Sequence, residues 1–262
     1  MPSPASVEVH AVQDGAEDAP VLILSPSLGS TVAMWEPQLA VLTGRFRVIR
    51  YDPRGHGGSP VPAGPYAIAE LGADLLALLD RLGAPRAHLA GLSLGGMTAM
   101  WVAAHHPERV ATLTLLCTSA QLGPAQAWAE RAALVRGQGS AAVAAAVVER
   151  WFTPAWAARH PVEVRRYQAM IGATSAEGYA SCCSAIEAMN LIPALPQITA
   201  PTLVIAGEQD PSTPPEHARR IVAGIPGARL EVLAEAAHLA NVEQPQAVNQ
   251  LLLAHLVGGR DE

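Results

Sequence analysis

The sequence predicts an α/β fold, a mostly parallel central sheet flanked by helices with a helical insertion in its second half. Short β-rich apolar runs recur, each closed by Gly, Pro or Asp and followed by a longer stretch with helical spacing. That rhythm stops between about residues 121 and 196, where Ala-rich helical text dominates. Half of the 262 residues are apolar and only 15% are charged, enough to bury a sizeable core.

Taken in order, the candidate strands cover residues 7–12, 21–24, 46–51, 87–91, 110–116, 202–207 and 230–233. The last five are near-continuous hydrophobics, as central parallel strands are when helices cover both faces. Residues 68–81 repeat apolar side chains at helical intervals (Ile68, Leu71, Leu75, Leu78, Leu79) with Glu70, Asp74, Asp80 and Arg81 interleaved, which predicts a helix against the sheet. Residues 97–106 read as a helix closing at Pro107, residues 216–222 as a helix started by Pro214 and Pro215, and residues 245–256 as a final amphipathic one. The core is thus expected over 1–120 and 197–262, with 121–196 as an inserted cap. An insertion between two strands lies over their C-terminal ends, where ligands bind in open α/β sheets. This one carries Trp128, Trp151 and Trp156, with Arg131, Arg150, Arg159, Arg165 and Arg166.

Composition removes several function classes. A net charge of −6 gives no electrostatic footprint for nucleic acid or an acidic membrane. All 17 basic residues are Arg, so chemistry that depends on Lys is excluded. Cys117, Cys182 and Cys183 form no CxxC pair and have no His at zinc spacing, which predicts reduced, structural thiols and no metal. The longest uncharged stretches are broken by Gly, Pro or polar residues, and the N-terminal residues have neither a basic cluster nor an apolar run. The expectation is a cytoplasmic protein.

The sharpest local signal is Gly91-Leu92-Ser93-Leu94-Gly95, between a strand-like and a helix-like segment. A Ser on so tight a strand-to-helix turn needs small neighbours, because backbone and helix approach closely there. Such a nucleophile needs a base, and the base an orienting carboxylate. Asp210 follows the strand at 202–207, and His238 the strand at 230–233. The order Ser93, Asp210, His238 is that of a nucleophile-elbow triad. Glu208 and Glu235 are the rival orienters. Among the other histidines, His10, His160, His217 and His255 read as surface residues, and His56 as a hydrogen bonder holding the loop YDPRGHGGS. The second oxyanion donor is expected from the loop Ser25-Pro26-Ser27-Leu28-Gly29-Ser30, with the Leu28 amide paired to that of Leu94.

With these motifs in place, nearly the whole chain resembles the α/β-hydrolase superfamily. Within it the chain is similar to the 3-oxoadipate enol-lactonases of aromatic breakdown. SPSLGSTVAMW stands where most relatives begin with His-Gly, and the segments ERWFTPAW and Gly178-Tyr179-Ala180-Ser181-Cys182-Cys183-Ser184-Ala185-Ile186 carry the likeness further. The resemblance implies hydrolysis of an anionic lactone without metal or cofactor. A carboxylate on the substrate calls for a cationic fork, for which Arg131, three residues after Trp128, is the first candidate, with Trp128 and Trp151 as an apolar wall. The competing expectations are another serine hydrolase on the same scaffold, namely a carboxylesterase, C–C hydrolase or cofactor-free perhydrolase, and a binding protein without turnover.

Overall fold

The recurring apolar runs become seven strands of one sheet in a computed structural model that describes residues 5–258. These are β1 (Ala11–Asp14), β2 (Val21–Ser25), β3 (Arg47–Tyr51), β4 (Ala87–Leu92), β5 (Val110–Leu116), β6 (Thr202–Gly207) and β7 (Arg229–Leu233). Their spatial order is β1-β3-β2-β4-β5-β6-β7, with β1 antiparallel to β3 and every other pairing parallel. The middle strands β4 and β6 are buried along their whole length, which is why their text is continuously apolar.

Two strand expectations change. The first strand starts at Ala11 rather than residue 7, because the amides before it go to side chains: Val7 N–H to Asp74 at 2.7 Å and His10 N–H to Ser59 at 2.8 Å. The run 230–233 is not a covered central strand. It belongs to the edge strand β7, where Arg229, Glu231 and Val232 are exposed; charges on such an edge oppose pairing with another chain.

Helices α1 (Glu36–Leu42), α2 (Ile68–Arg81) and α3 (Leu94–His105) lie in the first half of the chain. The spacing of 68–81 gives α2 with its expected ends, whereas α3 begins three residues before 97 because the turn at Ser93 enters it directly. Nearly every residue of α3 is buried, so it has no polar face for a periodicity argument to find. Helix α1, of only seven residues, was not legible in the sequence.

Between β5 and β6 the chain forms five helices: α4 (Ala125–Gln138), α5 (Ala141–Val148), α6 (Pro154–Arg159), α7 (Pro161–Gly172) and α8 (Ala176–Ala188). They are the inserted helical layer. The last part comprises α9 (Pro215–Gly224), α10 (Ala240–Glu243) and α11 (Pro245–Gly258). His255, expected at the surface, is buried on the inner face of α11 with Nε2 3.1 Å from the Leu113 carbonyl. Cys117, Cys182 and Cys183 are free and buried. Among the described residues no helix is long and apolar enough to cross a membrane, and no three His, Cys, Asp or Glu are grouped to hold a metal ion.

Candidate active site

The loops that carry the predicted residues leave the same edge of the sheet. Ser25 at the end of β2 pairs with Gly91 near the end of β4, which sets the loop after β2 beside the turn after β4. Asp210 follows β6, and His238 follows its parallel neighbour β7.

Ser93 sits at φ 56°, ψ −117°, a positive-φ conformation that side chains rarely adopt and that marks a strained turn. The turn is held on both sides: Ser93 N–H donates to the Leu116 carbonyl at 3.0 Å, and the Thr118 hydroxyl donates to the Ser93 carbonyl at 2.6 Å. The flanking glycines are required by close approach. A Cβ on Gly91 would strike the Gly95 carbonyl, and one on Gly95 would strike that of Ser25.

Asp210 and His238 are joined, with His238 Nδ1 2.8 Å from Asp210 Oδ2. The same carboxylate accepts the Thr213 hydroxyl at 2.6 Å and the amides of Ser212 and Thr213 at 2.8 and 3.1 Å. Burial pushes the Asp210 carboxyl up, but His238 and then the Thr213 hydroxyl and amide outweigh it and hold it below the usual range. The carboxylate is held as an anion, an arrangement that can orient the ring with Nδ1–H toward it and leave Nε2 available as a base. Glu208 makes no such bond: its amide pairs with Leu233, and the residue is exposed. Thr213 escaped the sequence reading, although its place in the Pro-rich turn three residues after Asp210 is the spacing of a local side-chain turn.

Ser93 and His238 line one cavity of about 220 Å³, together with Ser27 and Leu28. No hydrogen bond joins Ser93 Oγ to another described residue. The Leu94 amide is the first of α3 and has no carbonyl in its own helix to meet. The loop carrying Leu28 is braced by the Ser30 hydroxyl on the Ser27 carbonyl at 2.7 Å, and by Gly29 N–H on His56 Nε2 at 2.9 Å. His56 is the loop-holding residue the sequence suggested.

The opposite wall comes from the inserted helices. Arg131 stacks on Trp128, its guanidinium carbon 4.6 Å from the ring centroid, as their spacing on one helix predicts. Trp151 lines the same cavity and also packs edge-on to Tyr167. Arg150 and Tyr179 join this wall, and neither was in the predicted site. Arg150 is one of six arginines within residues 121–196, and only the fold turns it inward. Among the described residues neither Arg131 nor Arg150 has an acidic partner. Burial, and then the neighbouring Arg131, press the Arg150 guanidinium below its ordinary value. A like-charged pair at an apolar wall can receive an anion.

Residues 20–245 match the family model of the α/β hydrolase fold, and the chain belongs to that family. Within it, the chain is 46% identical to 3-oxoadipate enol-lactonase 2 of Acinetobacter baylyi over 92% of its own length and 90% of that protein's. It is 34% identical to 3-oxoadipate enol-lactonase 1 of the same organism, over 91% and 89%. Its structure is similar to the crystal structure of the enol-lactonase from Burkholderia xenovorans LB400, with a TM-score of 0.93 at 41% identity, covering 95% of this chain and 96% of that one.

Proposed function

We propose that the protein hydrolyses 3-oxoadipate enol-lactone to 3-oxoadipate, with Ser93 as nucleophile, His238 as general base and acid, and Asp210 as its orienter. The observation that carries this reading beyond a generic ester hydrolase is the Arg131 and Arg150 pair, unneutralised by any described acid, across one cavity from Ser93 and His238. The lactone bears a free carboxylate, and a planar guanidinium binds a carboxylate with two parallel hydrogen bonds. Trp128 and Trp151 supply the apolar surface beside it. Residues 121–196 act as the cap.

In the first half of the reaction Ser93 Oγ bonds to the lactone carbonyl carbon while its proton passes to His238 Nε2. The amides of Leu28 and Leu94 receive the oxyanion, a contribution of about 3 kcal/mol for each such donor. As the carbonyl re-forms, the ring C–O bond breaks, and His238 returns the proton to the enol oxygen. Asp210 stabilises the imidazolium between these steps. Water then adds to the acyl-enzyme with His238 again as base, and Ser93 leaves. No step needs a metal or a redox cofactor. The released enol becomes a ketone, which makes ring opening hard to reverse.

Substrate preference tests this reading. Purified protein should show a higher kcat/KM on the anionic enol-lactone than on neutral p-nitrophenyl acetate. The reverse preference would keep the hydrolase and discard the lactone.

A further inference from the structure

Helix α10 ends on Glu243, whose carboxylate accepts hydrogen bonds from two separate parts of the molecule. Oε2 takes the N–H of Ala237, the residue before His238, at 2.5 Å. Oε1 takes both the N–H and the hydroxyl of Thr153, at 2.8 and 2.7 Å. Thr153 lies two residues after Trp151 and caps the start of α6. Alongside, Leu239 N–H donates to the Trp151 carbonyl at 2.9 Å. The sheet side of the loop is fixed too, by Gln209 N–H on the Ala236 carbonyl at 2.9 Å and Cys117 Sγ on that of Ala237 at 3.6 Å.

We propose that Glu243 is a positioning residue for the hydrolysis, binding the His238 loop and the Trp151–Thr153 segment of the cap into one unit. The catalytic base and the wall facing it then keep a fixed spacing. This rests on the Ser93 and His238 chemistry above, but not on the identity of the lactone. A carboxylate is suited to the task because it only accepts, and all three of its partners donate. An amide of the same shape offers one accepting atom, so with its oxygen on Ala237 N–H its NH2 reaches the Thr153 hydroxyl but faces the Thr153 N–H donor, and the bridge is weakened at that end. Misplacing a base by a fraction of an ångström reaches the rate, whereas a loop brace without that role affects stability alone.

The test compares Glu243→Gln, Thr153→Val and Thr153→Ser in the full chain, assaying enol-lactone and p-nitrophenyl acetate well below each variant's unfolding temperature. Glu243→Gln is expected to lower kcat about tenfold on both substrates with KM for the ester little changed. Thr153→Ser keeps the hydroxyl donor and should behave as the parent. Thr153→Val removes the hydroxyl that donates to Glu243 and caps α6, leaves the Thr153 N–H bond in place, and should raise KM for the lactone more than for the ester. A lower unfolding temperature with unchanged kcat in Glu243→Gln would overturn the proposal and leave Glu243 a structural brace. Should Glu243→Gln fail to fold, Thr153→Val decides, and parental kinetics on both substrates would overturn it. Should the parent cleave the ester but not the lactone, the substrate reading falls while the ester kinetics of Glu243→Gln still judge the proposal.

Discussion

His56 Nε2 accepts the Gly29 N–H at 2.9 Å, while its Nδ1 lies 3.2 Å from the Arg54 carbonyl. One neutral imidazole therefore spans the loop that supplies the proposed Leu28 oxyanion donor and the loop anchored on α2 through the buried Arg54–Asp74 ion pair at 2.7 Å. Only the neutral ring can do this, since a proton on Nε2 would face the Gly29 N–H. Burial pushes the His56 pKa down from 6.5 to about 4, partly offset by the Arg54 carbonyl and Asp52.

The sign of the pH effect follows from that shift. The unfolded chain binds a proton at His56 as the pH falls through 6.5, and the folded chain resists it down to about 4. Stability is full above pH 6.5 and declines between 6.5 and 4, by about 3 kcal/mol from this residue. His56→Gln should lose less stability than the parent across that interval, as measured by denaturant unfolding at pH 7 and pH 4.5. Equal losses would show that His56 does not titrate in this way.

Thr213 acts on the orienting carboxylate. Its hydroxyl donates to Asp210 Oδ2, the oxygen that also faces His238, so Thr213→Val removes a charge-assisted hydrogen bond from a buried anion. About a tenfold fall in kcat is expected, with KM little changed. An unchanged kcat would mean that the two backbone amides suffice to hold Asp210.

The arginine pair should separate binding from chemistry. Arg131→Ala and Arg150→Ala are each expected to raise KM for the enol-lactone about tenfold or more while leaving the KM of p-nitrophenyl acetate nearly unchanged. Removing Arg150 also relieves Arg131 of a like-charged neighbour, so the double variant should cost less than the two single effects combined. Equal effects on both substrates would assign the pair to packing.

The sequence exposed those parts of the site that local chemistry dictates. Gly91 and Gly95 mark the turn at Ser93 because no larger residue fits against the Gly95 and Ser25 carbonyls. The order of strands placed Asp210 and His238 at loops on one edge. Arg150 was not legible, because its direction depends on how α5 packs against the other cap helices and not on its neighbours in the chain. His255 and the strand at 229–233 misled for the same reason: covered positions and edge positions share the same local text, and only the assembled sheet separates them. Glu243 likewise gains meaning only when Thr153 and Ala237, 84 residues apart, meet at its carboxylate.

The most direct measurement is the loss of enol-lactone ultraviolet absorbance with purified protein and its Ser93→Ala variant, each checked for folding by thermal unfolding. The parent should consume the lactone rapidly, and the folded variant should be slower by about a thousandfold or more. A folded Ser93→Ala protein that opens the lactone at the parent's rate would contradict the assignment of Ser93 as the nucleophile.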